Sequence, residues 1–166
     1  IDGSKLPFQE NAALTRRTAV MAERYGLPLE AELGELAGKE DTQSCTSSSY
    51  TDPDKVVDFI SLTGITSLAV SIGTAHGIYK GKPHIDLERL EQIHKKATVP
   101  LVLHGSSGLA DQVIRSCIER GICKVNFATE LRQTYSNALK AYLTEYPDTF
   151  DPKAYSKPAK ESVCKR

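Results

Sequence analysis

The sequence predicts an α/β fold built on a parallel sheet, either doubly wound or closed into a barrel. Short apolar segments of strand length alternate with amphipathic segments of helix length. Glycine and polar residues gather after the strands rather than after the helices, and in a β/α barrel that end is the catalytic face. The length of 166 residues, 40% of them hydrophobic and 25% charged, suits one buried core, so a single domain over 1–166 is expected.

Ile1-Asp-Gly-Ser reads as the tail of a strand running into a loop, and points to sequence upstream. From Glu10 to Tyr25, apolar Ala13, Leu14, Ala19 and Val20 alternate with arginine and glutamate in helical register, with Gly26 as the stop. Leu27 to Leu33 is apolar at alternate positions and ends at Gly34, a strand that turns Glu30 and Glu32 to one side. Gly34 to Tyr50 has no apolar period and is expected to be a mobile surface loop.

Asp52-Pro53 supplies a cap and first-turn proline for a helix through Ile60, ended near Gly64. A buried strand, Ser67 to Ile72, leads into Gly73-Thr-Ala-His-Gly77. Asp86 caps a helix over Leu87 to Lys96, and the strand Val99 to Leu103 leads into His104-Gly-Ser-Ser-Gly108. A helix over Ala110 to Arg120 stops at Gly121, a strand follows over Ile122 to Phe127, and a longer helix runs from Leu131 to Tyr146. The rest is a polar, proline-punctuated tail, and counting the opening fragment gives five strands.

Lysine plus arginine equal aspartate plus glutamate at 21 each, so no net field draws the chain to nucleic acid or an anionic membrane. Cys45, Cys117, Cys123 and Cys164 are scattered without C-x-x-C spacing, as expected of reduced thiols in a cytoplasmic protein. No apolar run is long enough to span a bilayer.

His76 and His104 each follow an apolar strand and precede a glycine, so two imidazoles project from neighbouring strand ends. A lone histidine there is ordinarily a hydrogen-bonded structural residue. Two in matched positions, with Glu32 on the preceding strand, make a zinc site that lacks one ligand the competing reading. Gly105-Ser-Ser-Gly108 opens toward a helix and can bring backbone N–H groups close to an anion. Asn126, Thr129 and Arg132 after the next strand add hydrogen bonds and a positive charge to that pocket.

Ala31-Glu-Leu-Gly34, Gly73-Thr-Ala-His-Gly77, Leu103-His-Gly-Ser-Ser-Gly108 and Lys124-Val-Asn-Phe-Ala-Thr-Glu-Leu131 together resemble four successive signatures of the class II, zinc-dependent fructose/tagatose-bisphosphate aldolases. The resemblance implies a (β/α)8 TIM barrel, here a partial barrel over about the fourth to eighth β/α units. It implies reversible cleavage of a ketose 1,6-bisphosphate to glycerone phosphate and glyceraldehyde 3-phosphate, with Zn2+ stabilising the enediolate. His76 and His104 match two zinc histidines, and Glu32 matches a carboxylate that binds the metal in an alternative buried position.

By the same resemblance, Glu40 matches a loop glutamate that transfers a proton at the glycerone carbon. Gly77, Lys80, Gly105 and Ser107 match the glycerone-phosphate shell, with a monovalent cation (Na+ or K+) near Gly77 and Gly105. Asn126 matches a contact to the glycerone unit, Thr129 continues the phosphate shell, and Arg132 matches an arginine at the far phosphate. Ser106 stands where glycine is commoner and is expected to crowd its loop, while Ala128 resembles the tagatose-bisphosphate enzymes. The family's third zinc histidine and catalytic aspartate match nothing in these 166 residues, so little activity is expected of the chain alone. Homo-oligomers are expected at full length. An inactive barrel serving as a regulatory or partner-binding subunit is the alternative, against which the retained His76, His104, Glu40, Asn126 and Lys80 argue. His84 and His94 are expected to be solvated or packing residues.

Overall fold

A computed structural model of the protein describes residues 1–40, 43–45, 49–79, 81 and 83–166, with backbone only at 39, 40 and 43–45. The chain divides into two compact units, Ile1–Asn126 and Phe127–Arg166.

In the first unit, helix α1 (Phe8–Glu23) precedes strand β1 (Glu30–Leu33) and a hairpin of β2 (Ala37–Glu40) and β3 (Gln43–Cys45). Helix α2 (Val56–Thr63), β4 (Ser67–Val70), the two-residue β5 (Ala75–His76), α3 (Leu87–Lys96), β6 (Leu101–Leu103), α4 (Asp111–Ile118) and β7 (Ile122–Val125) follow. Strands β1, β4, β6 and β7 form a parallel sheet in that spatial order. A helix separates each consecutive pair, the arrangement that right-handed crossovers demand.

Alternation along the strands sorts the sheet into two faces. Ala31, Leu33, Leu68, Val70, Leu101 and Leu103 join one apolar cluster with Val56, Phe59, Leu90 and Ile93 of the helices. The intervening residues Glu32, Ala69 and Val102 share a register row on the other face. The register jumps from Leu101↔Ile122 to Val102↔Lys124, skipping Cys123, and so brings Lys124 into that row.

The helix ends obey the signals in the sequence. Asp52 accepts a hydrogen bond from the Asp54 N–H, and Gly64 closes α2 at φ 70°. Asp86 Oδ1 accepts from the Arg89 N–H at 2.9 Å to cap α3, whose span is the one expected.

Three expectations need correction. The described residues of 34–50 are not a plain loop: β2 pairs antiparallel with β3 and parallel with β5, which a reading by apolar period misses because β2 reads Ala-Gly-Lys-Glu. The opening Ile1–Ser4 is not a strand, although its amine donates to the Glu30 carbonyl at 2.7 Å, so the parallel sheet has four strands among the described residues. The tail is helical, as the second unit shows.

That second unit pairs α5 (Thr129–Glu145) with α6 (Pro152–Cys164). Asp151 accepts from the Lys153 N–H at 2.9 Å and Pro152 occupies the first turn, so the proline that reads as a breaker starts a helix. Pro158 stands inside α6, where proline ordinarily costs about 3 kcal/mol. Burial of Ala159 acts against that cost, and an Arg166–Glu130 ion pair ties the ends of the hairpin.

Candidate active site

The polar face of the parallel sheet carries the charges. His104 follows β6 directly, with Nε2 2.9 Å from Glu30 Oε1 and Nδ1 3.1 Å from Glu32 Oε2. Lys124 Nζ donates to Glu30 Oε2 at 2.8 Å. Glu30 and Glu32 reach one ring because they are two residues apart on a strand, as expected of their alternation. The Glu30–Lys124 pair joins the two edge strands across β4 and β6, a separation of about 14 Å in a flat sheet. The inward curl of a barrel wall shortens it.

These groups divide the charge unequally. Burial would raise the Glu30 carboxyl, but hydrogen bonds from Lys124 and His104 outweigh it and hold the group below its usual range. Burial dominates at Glu32, whose side chain is 3% exposed, and pushes its carboxyl up despite the bond to His104. Burial alone would lower His104, but its bonds to Glu32 and Glu30 raise it above the ordinary histidine value.

His76 arrives differently. It lies on β5, whose backbone pairs with β2 in the register Ala37↔Ala75 and Gly38↔His76. At φ 109°, a Cβ on Gly38 would stand 1.9 Å from the His76 carbonyl oxygen, so only glycine permits the approach. Tyr79 then ties the two histidine loops together: its hydroxyl accepts from the Ala75 N–H at 3.0 Å and donates to the Gly105 carbonyl at 2.8 Å. Gly105, at φ 68°, lies so near Ala75 that a Cβ would meet the Ala75 oxygen at 2.5 Å. The rings of His76 and His104 end 5.9 Å apart, centroid to centroid.

Of the residues expected at a site, Glu32, His76 and His104 are thus brought together, with Gly77 and Gly105 immediately after the histidines. Among the described residues they do not make a group of three metal ligands. Two imidazoles and a buried carboxylate are nevertheless the nitrogen and oxygen donors zinc takes. Ser107 is buried at the head of the glycine loop. Ser106 does not crowd that loop: it is fully buried, and its hydroxyl donates to the Leu103 carbonyl at 3.3 Å. Asn126 is half-buried, and its N–H donates to the Leu103 carbonyl at 3.0 Å. Thr129 opens α5, and the Arg132 N–H donates to the Ala128 carbonyl at 3.0 Å in the same unit. The Glu40 backbone ends β2, while its side chain and Lys80 lie outside what is described. His84 and His94 are exposed.

Three contributors were not singled out by sequence reasoning. Lys124 left a signal, a lysine two places before Asn126 in an otherwise apolar strand. Tyr79 and Asn11 left none, because their partners are backbone groups far away in sequence. Asn11, on α1, donates to the Glu32 carbonyl at 3.0 Å and fixes β1 beneath the cluster.

A family described as Fructose-bisphosphate aldolase class-II matches residues 1–166. The chain belongs to that class II aldolase family. Its structure is similar to that of the YdjI aldolase from Escherichia coli K12, at 35% identity and a TM-score of 0.81, over 99% of this chain and 56% of that one. It is similar to a candidate fructose-1,6-biphosphate aldolase from Coccidioides immitis, at 28% identity and a TM-score of 0.82, over 99% and 59% of the two chains. Fructose-bisphosphate aldolase from Campylobacter jejuni, at 22% identity and a TM-score of 0.76 over 99% and 56%, shares the fold. This class II aldolase chain therefore spans 56–59% of the length of these neighbours, and its α/β fold is a partial barrel.

Proposed function

We propose that this chain supplies the metal and glycerone-phosphate side of an aldolase that reversibly cleaves a ketose 1,6-bisphosphate, tagatose or fructose. The observation that carries the reading is the meeting of His76 and His104 from two strand ends beside the buried Glu32, in a chain of this family. His76 and His104 would hold zinc, with Glu32 as its alternative buried ligand. Bound zinc supplies a Lewis acid for the negative charge that develops on the ketone oxygen as the carbon–carbon bond breaks.

In this reading Glu40 moves a proton at the glycerone carbon, and Gly77, Lys80, Gly105 and Ser107 hold the glycerone phosphate. Asn126 orients the glycerone unit, Thr129 extends the phosphate shell, and Arg132 binds the far phosphate. A monovalent cation belongs beside Gly77 and Gly105. The nearby Thr74 hydroxyl, buried and without a hydrogen-bond partner among the described residues, is a polar atom that could serve it. Ala128 favours tagatose bisphosphate through the configuration at C4. The working protein is read as a cytoplasmic homo-oligomer with residues 1–166 inside one barrel domain.

The test is cleavage of both bisphosphates by a polypeptide that joins this chain to the remaining length of the family. Chelator-sensitive cleavage, lost at least 100-fold in H76A and H104A and faster with tagatose bisphosphate, is the expected result. Cleavage indifferent to chelator and to H104A would overturn the reading.

A further inference from the structure

We infer that Glu30, tethered by Lys124, is a positioning residue that accepts the Nε2–H hydrogen bond of His104 and leaves Nδ1 to face the metal. This rests on the metal reading above and assigns a role within it. A neutral imidazole offers one lone pair and one N–H, and a histidine ligand holds its orientation by giving the N–H to an acceptor. His104 has a carboxylate at each nitrogen, so its ligating nitrogen depends on which carboxylate is the fixed acceptor.

The two carboxylates are not equivalent. Glu30 has both oxygens engaged, Oε1 by His104 and Oε2 by Lys124, so it cannot leave the ring without breaking an ion pair. Glu32 is the buried one, and its Oε2 lies 3.1 Å from Nδ1. Nδ1 therefore faces the buried carboxylate, and Nε2 faces the tethered one. Lys124 reaches Glu30 from the opposite edge of the sheet, so the bridge also sets how far β1 stands from β7 at the level of the ring. A Lys124 side chain 56% exposed adds little to stability, so the pair's contribution should be read in binding.

The experiment titrates the polypeptide that joins this chain to the remaining length of the family with zinc alone against a chromophoric chelator and follows the His104 ring by 15N NMR. Expected is zinc binding weakened about 10- to 100-fold in Glu30→Ala, with an intermediate loss in Glu30→Gln, which keeps a neutral acceptor. Lys124→Met should weaken binding several-fold, and the Glu30→Ala/Lys124→Met double variant should be no worse than Glu30→Ala. In the zinc-loaded wild type, Nδ1 should show the metal-induced shift while Nε2 keeps its proton. Zinc affinity in folded Glu30→Ala within twofold of wild type would overturn the inference alone, as would a metal-shifted Nε2. The wild-type NMR decides the matter if Glu30→Ala does not fold. A wild-type joined polypeptide that takes up no zinc would overturn the metal reading, and this inference with it.

Discussion

His104 and His76 meet at one place but are held by different means. His104 is gripped by side chains, a carboxylate at each nitrogen and a lysine behind one of them. His76 is placed by backbone, through its pairing with Gly38 and the Tyr79 hydroxyl that joins Ala75 to Gly105. The difference separates tuning from placement. Charges around His104 set which nitrogen is available, whereas the glycine and hydroxyl around His76 set where the strand end lies. Damage to the first should alter chemistry with little loss of fold, and damage to the second should alter the fold first.

The sharpest way to break this comparison is Gly38→Val. Its Cβ would overlap the His76 carbonyl at a backbone angle that β-branched residues avoid, so β2 must part from β5. A loss of about 3 kcal/mol in urea unfolding is expected, and a loss under about 0.5 kcal/mol would show that the hairpin does not place His76.

Tyr79→Phe removes one acceptor and one donor while keeping the ring. It should cost about 1–2 kcal/mol and speed amide exchange at Ala75, the N–H it leaves behind. Unchanged exchange at Ala75 would mean that the loops are joined by other means.

Asp86→Ala tests the segment that leads from the His76 loop into α3, because it removes the carboxylate that caps that helix. The Arg89 N–H, opposed by partial burial and aided by the Arg89 guanidinium, holds the Asp86 carboxyl below its usual range. A carboxyl lowered in the folded state stabilises fully above its unfolded value, about 3.9, and that stability is lost as pH falls through the folded value. The variant should lose about 1 kcal/mol at neutral pH and show a shallower decline in stability below about pH 4. An acid limb identical to that of the wild type would sink the assignment.

Lys124→Met is the smallest expected effect, within about 1 kcal/mol of wild type in stability, because the ion pair it removes is half exposed. A larger loss would make the His104 side a structural grip as well, and would blur the contrast.

The sequence made some of this legible and concealed the rest for identifiable reasons. Apolar alternation marks β1, short apolar runs mark β4, β6 and β7, and the Asp86 cap marks the start of α3, because those features depend on neighbours in the chain. Glu30 and Glu32 fall on one side by the same alternation. The β2–β5 pairing was hidden because it buries few apolar groups and depends on backbone bonds between segments far apart in sequence. Helix α6 was hidden because Pro152 and Pro158 read as breakers, whereas one opens the first turn behind the Asp151 cap and the other is tolerated. The skipped Cys123 also could not be read, since a bulge is defined by the partner strand. Without that skip, Lys124 would leave the row of Val102.

The two-residue junction of β2 with β5 also acts as a ruler for the hairpin that carries Glu40. One residue inserted between Leu33 and Ala37 would slide the alanine into the place of Gly38, against the His76 carbonyl, and one residue deleted would bring Lys39 there. Length changes at the far end of the hairpin leave that alignment untouched. Anyone grafting a different hairpin onto this scaffold must keep the length of its root.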